Sequence, residues 1–277
     1  MINPVEVASP QRLARIAGIL YLTNILGGAF AIGFVHATLF SSDPATTAAN
    51  IQAHQQLYRA GLAAHVVVTV TNVPLAMIFY ELFKVVNRRV ALMTAFFILV
   101  ATAVEAAGLL NEFAPLALVG AGSGSGAVPG AQLQELAFMH VQLSQYHYTL
   151  YTVFFGLDIL CLAYLALRSG FLPKAIAVLL AVDGMAYLVY SFTHFLAPGR
   201  APDLVPWIQL PAPLAEGAFA LWLLVFGVNI GRGRPRFHRG HSDAAAAGGD
   251  AAAMPGVAPS YPPAQLGTTH PHKAAST

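Results

Sequence analysis

The sequence predicts an all-α protein, a polytopic transmembrane helix bundle of about six spans with both termini on the cytoplasmic side. Three observations carry this reading. Six long apolar stretches recur along the chain. Only 9% of the residues are charged, whereas a soluble domain covers its surface with about 25%; a bilayer removes that need. Lys and Arg gather in alternate connections, as they do in cytoplasmic loops.

A helix rises about 1.5 Å per residue, so about 20 apolar residues cross the hydrocarbon core. Stretches of that kind run over Ile16–Leu39, Gly61–Phe83, Val90–Val119, Tyr148–Leu167, Ala175–Leu196 and Pro211–Ile230. The third exceeds the need and should tilt or extend into the interface. Arg12 and Arg15 precede the first stretch. Lys84, Arg88 and Arg89 lie between the second and third, Arg168 and Lys174 between the fourth and fifth, and Arg232, Arg234, Arg236 and Arg239 after the sixth. The opposite side has only Arg59 and Arg200. An even number of spans then puts both termini inside. A competing reading makes the first stretch a signal peptide cleaved after Ala29-Phe30-Ala31. Thr23 and Asn24 interrupt that run, and it continues past Ala31, which favours a span.

The connections carry their own signals. Asp43-Pro44 has helix-start chemistry, so Thr46 to Tyr58 reads as a short interfacial helix. Gly120 to Gly126, GAGSGSG, lacks the Gly-Lys-Ser/Thr of a phosphate-binding loop and reads as a flexible linker. Gln132 to Gln145 reads as a helix leading into the fourth span. Gly170 can end that span and Pro173 can start the next. The chain thus divides into a bundle over residues 1–231 and a tail over 232–277. The tail opens with a basic run, and Ala, Gly, Pro, Ser and Thr then dominate. That composition predicts disorder, and the basic run predicts contact with anionic lipid. The partners implied are therefore the bilayer and its anionic headgroups. A net charge of +2 leaves no electrostatic footprint for nucleic acid.

Acids and histidines inside apolar stretches are the candidate functional groups. A charge at mid-bilayer costs about 2.5–3.5 kcal/mol on insertion scales, so such groups face the protein interior or water. Residues at i, i+4, i+7 and i+11 share an arc of about 60°. One such seam holds His65, Thr69 and Asn72; a second holds Glu105, Gly108 and Glu112. A third holds His147, Tyr151 and Asp158, and a fourth Asp183, Tyr187, Tyr190 and His194. Glu216 lies in the last span. The seams should face one another and form a polar interior opening outward.

Three readings of that interior stand. The seams can be scaffolding, hydrogen-bonding glue that fixes the register of the bundle, or can line a small-ligand site formed by Glu105, Asp158, Asp183, Glu216, Tyr151, Tyr187 and Asn72. They can hold a metal or haem through His65, His147 and His194, since imidazole suits zinc, copper and iron, although no H-E-x-x-H is present. They can serve a small proton-coupled transporter, with Asp158 and Asp183 sharing a proton and Pro74, Gly156 and Gly184 supplying helix irregularity. No G-x-S-x-G or comparable catalytic motif points to an enzyme, and no feature names a cofactor.

Four segments carry a resemblance: TTAANIQAHQQLYRAGLAA from Thr46, VNRRVALMTAFF from Val86, VFFGLDILCLAYLALRSGFLP from Val153 and AEGAFALWLLVFGVN from Ala215. In this order the chain resembles a bacterial family of uncharacterised multi-pass membrane proteins, domain of unknown function 4386. The resemblance spans about Arg12 to Asn229, and Arg168 to Pro173, RSGFLP, is its most specific element. It implies a helical bundle in the bacterial cytoplasmic membrane and assigns no activity. Asp158 departs from the more usual histidine of that pattern, and His65 from the more usual acid.

Overall fold

Seven helices account for most of the computed structural model, which describes residues 9–121 and 129–228. α1 spans Pro10–Leu39, with a π-helical stretch at Ala29–Val35. α2 covers Pro44–Ala53, α3 Gln55–Phe83, α4 Arg88–Ala121, α5 Gly130–Ser169, α6 Lys174–Leu196 and α7 Pro211–Val225. All but α2 lie in segments long and apolar enough to cross a membrane, six in number among the described residues. The chain is a multi-pass membrane protein.

The helix ends follow local chemistry. Pro10 occupies the first turn of α1, and the Ser9 hydroxyl accepts the Arg12 amide at 3.3 Å. Asp43 caps α2, its Oδ2 accepting the Thr46 amide at 2.7 Å and the Thr46 hydroxyl at 2.6 Å. The side chain of Asn87 caps α4 by accepting from the Arg89 and Val90 amides. Gly170 closes α5 in the left-handed conformation and Pro173 opens α6, as expected for a tight turn.

Three expectations shift. The helix after Asp43 ends at Ala53, and α3 starts at Gln55, ahead of the apolar stretch. The lead-in to the fourth span is fused with it, making α5 a 40-residue helix, because no Gly or Pro interrupts residues 131–155. The last helix stops at Val225, since Gly227 turns left-handed at φ 65°. The expected linker core (122–128) and the expected tail lie outside the described residues.

The six long helices form a ring in chain order. Each packs on the next, and α7 packs back on α1. Gln11 fastens this last seam, donating to the Phe226 carbonyl and accepting the Val228 amide, both at 3.0 Å. At one end lie the α3–α4 and α5–α6 turns, joined by the rings of Phe83 and Phe171 at 5.6 Å. The cations Lys84, Arg88, Arg168 and Lys174 border these turns, and Lys84 pairs with Glu81. The half of the ring toward this cationic end is filled by an apolar core including Phe79, Phe83, Leu162, Leu165, Phe219 and Leu223. Leu26, Met77, Leu110 and Leu196 turn outward, as a lipid-facing surface requires.

Glycines set the closest helix approaches. A Cβ on Gly18 would lie 2.7 Å from the Leu224 amide nitrogen, across α1 and α7. Gly156 and Gly184 oppose each other across α5 and α6, each with its would-be Cβ about 3 Å from the other's carbonyl oxygen. These two glycines therefore serve close packing of backbones within unbroken helices.

Candidate functional site

The other half of the ring is hollow. A cavity of about 540 Å³ lies among α1, α3, α4, α5, α6 and α7. Its floor is Tyr21, whose ring packs edge-on to Phe79 and Phe219, both at 5.9 Å. Its exposed lining residues, Ala29, Gly33, Gln145, Gln209 and Pro213, mark a mouth bordered by α1, α5 and the start of α7. The first half of α1 packs on both α3 and α7, and the π-helical stretch packs on α3. This stretch borders the cavity through Ala29, Ile32 and Gly33. Such wide turns recur at functional sites.

One wall is a hydrogen-bonded polar chain. His65 on α3 sits between two acids of α4, its Nδ1 at 2.9 Å from Glu112 and its Nε2 at 3.2 Å from Glu105. All three side chains are buried. Carboxylates only accept, so both contacts are hydrogen bonds when both ring nitrogens carry protons or a glutamate supplies one. Asn72 donates to the second oxygen of Glu105 at 3.4 Å and accepts from Asn24 on α1 at 2.5 Å. Thr71 donates to Asn24 in turn. Tyr58 donates to the backbone carbonyl of Glu112 at 2.6 Å, steadying the chain's outer end.

The facing wall is acidic and aromatic. Tyr187 on α6 donates to Glu216 on α7 at 2.9 Å, and Asp183, one turn below Tyr187, lies beside the same carboxyl. Tyr148 and Tyr151 stack at 5.9 Å, Tyr151 and Phe155 at 5.3 Å, and Phe155 meets Tyr187 edge-on at 5.3 Å. Tyr21 and Asp183 both turn to the Glu216 carboxyl, which gathers them with Tyr187 into one buried cluster.

The sequence candidates thus separate. Glu105, Asp183, Glu216, Tyr151, Tyr187, Asn72 and His65 line the cavity. Asp158 does not; it is buried in α5 with Oδ1 unpartnered, and the carboxyl beside Asp183 belongs to Glu216 instead. His147 also lies off the cavity, its ring filling the space a Cβ on Gly108 would occupy. His194 packs against the rings of Tyr146 and Tyr190. The three-histidine metal set is therefore not assembled. Both nitrogens of His65 are taken by glutamates; the His147 ring packs on Gly108 near that trio, while His194 lies apart against Tyr146 and Tyr190. Among the described residues no group of three His, Cys, Asp or Glu is placed to hold a metal ion.

Tyr21, Asn24, Tyr148 and His36 also line the cavity, outside the set that the polar seams predict. Asn24 had a signal, since it breaks the apolar run of the first span. Tyr21 had none, because a tyrosine in an apolar helix is also an ordinary core residue.

A family comparison agrees with this architecture. The sequence profile of the domain of unknown function DUF4386 matches residues 16–227. The chain belongs to the DUF4386 family. No curated protein and no solved structure matches it. The matched region takes in five of the six long helices of this DUF4386 chain whole, α1 from residue 16 onward, and every residue lining the cavity.

Proposed function

We propose that this DUF4386 protein binds a small organic molecule in the hollow half of its bundle. The observation that carries the reading is a cavity within the usual ligand-site range of about 300–1,000 Å³, whose largely apolar and aromatic lining converges on a few polar groups, Asp183, Tyr187 and Glu216 among them. The closed floor of Tyr21, Phe79 and Phe219 favours binding over passage through the bundle.

By the positive-inside rule the cationic end faces the cytoplasm, so the mouth opens to the exterior side of a bacterial inner membrane. In this reading residues 1–231 form the bundle. Residues 232–277 form a cytoplasmic tail whose basic start rests on anionic lipid, at about 1 kcal/mol per cation near the surface.

The test is a fragment screen by thermal shift on protein in nanodiscs, comparing wild type with Ala186→Trp. Ala186 lines the cavity and is small and uncharged, so tryptophan there fills space without altering charge. Fragments should stabilise wild type and leave the variant unmoved. Equal shifts in both would place binding elsewhere.

A further inference from the structure

We infer that the ligand is an organic cation, an amine or quaternary ammonium with apolar substituents, seated between the Asp183–Glu216 carboxyls and the tyrosine rings. This rests on the proposed binding role of the cavity and adds the ligand's chemical class. The first ground is charge. Among the described residues the lining contains four carboxyls, Glu105, Glu112, Asp183 and Glu216, and no Lys or Arg. The imidazole of His65 cannot serve an anion, because both its nitrogens face Glu105 and Glu112. His36, the other lining histidine, packs its ring on Phe40 at 4.5 Å. An anion entering the cavity would meet acids with no free cationic partner, whereas an ammonium would find acceptors in the Asp183–Glu216 pair.

The second ground is the pairing of two acids. Asp183 and Glu216 are both buried and lie side by side in the lining, with no Lys or Arg of the lining to answer them, so together they offer acceptors to a donor or a positive charge. The third ground is the aromatic lining. Tyr148, Tyr151, Tyr187 and Tyr190 come from two adjacent helices. Aromatic faces attract cations within about 6 Å of the ring centroid, and quaternary ammonium groups are recognised in this way. Carboxyls and tyrosine rings together select a cation with an apolar coat over a hydrated metal ion, which the rings could not coordinate.

The probes are choline, its neutral isostere 3,3-dimethylbutanol and the anion 3,3-dimethylbutyrate, with benzyltrimethylammonium as a larger cation. Binding is read by saturation-transfer NMR and calorimetric titration on the full chain in nanodiscs. Both cations should bind wild type at least about tenfold more tightly than the neutral and anionic probes, each factor of ten being about 1.4 kcal/mol. Asp183→Asn and Glu216→Gln should each remove most of that preference, Ala186→Trp should abolish binding, and Asp158→Asn should leave it intact. Wild-type discrimination needs no variant to fold. If the neutral or anionic probe binds as well as the cations and Ala186→Trp blocks it, the cation assignment is overturned and the cavity role stands. If no probe binds while neutral fragments bind and are blocked by Ala186→Trp, the result is the same. If nothing tested binds, both readings fail.

Discussion

His65 has the most to lose from substitution. Its ring is buried between two buried glutamates, and removing one member of such a set strands the others, at a cost of about 3–5 kcal/mol. His65→Leu should therefore lower stability by that order in detergent unfolding, and adding Glu105→Leu and Glu112→Leu should restore much of it. Failure of the triple variant to recover would mean that His65 acts through packing alone. Gly108 and His147 form another coupled pair, because the imidazole stands where a Cβ would be. Gly108→Ala should cost about 1–3 kcal/mol as overpacking, and His147→Ala in the same chain should remove most of that penalty. Additive losses would show that the ring moves aside freely. Outside the spans, the hydroxyl and amide of Thr46 hold the exposed Asp43 carboxyl below its ordinary range. Its folded pKa lies below the unfolded value of about 3.9, so the cap contributes fully above that value and is lost as pH falls through the folded one. Amide exchange in α2 should accelerate over that acidic window in wild type and be independent of it in Asp43→Asn.

Between helices, spacing is set by missing side chains. Gly18 brings α1 onto the backbone of α7, and Gly156 and Gly184 bring α5 onto α6. Atoms of a neighbouring backbone cannot rotate away, so Gly18→Val must push α1 and α7 apart, with a cost of about 1–3 kcal/mol or more. The α1–α7 seam closes the ring, and this variant should also loosen the cavity floor formed by Tyr21, Phe79 and Phe219. Measured unfolding that is unchanged by Gly18→Val would show that the seam is not tight. Gly156 and Gly184 read in the sequence as sources of helix irregularity. Instead α5 and α6 run unbroken past them, and the irregular turn lies in α1 at Ala29–Val35, where Gly27, Gly28 and Gly33 cluster.

Among the described residues six helices form a ring, filled by apolar side chains toward the cationic turns and hollow toward the other end. This polarity ties the cavity to membrane orientation. In a Cys161→Ala background, Ser42→Cys and Gly199→Cys should react with an impermeant maleimide on intact cells, and Val85→Cys only after permeabilisation. The reverse pattern would turn the mouth toward the cytoplasm and refute the proposed orientation. Span number and the α5–α6 turn at Gly170 and Pro173 were legible in the sequence, because each depends on residues close together in the chain. The pairing of seams was only partly legible. Periodicity placed His65 and Asn72 on one face and Glu105 and Glu112 on another, and these two faces do meet.

Which acids share a site was not legible. Asp158 and Asp183 stand at similar depth on consecutive helices, yet Asp183 meets Glu216 on the following helix, because α6 turns this face toward α7 and not toward Asp158. Helical period gives a residue's angle on its own axis but not the rotation of that axis in the bundle. Apolar length and cationic loops are one-dimensional properties, so they were readable along the chain and settled a six-span membrane helix bundle. The cavity arises where six helices fail to fill the space they enclose, and that depends on how side chains from distant segments meet.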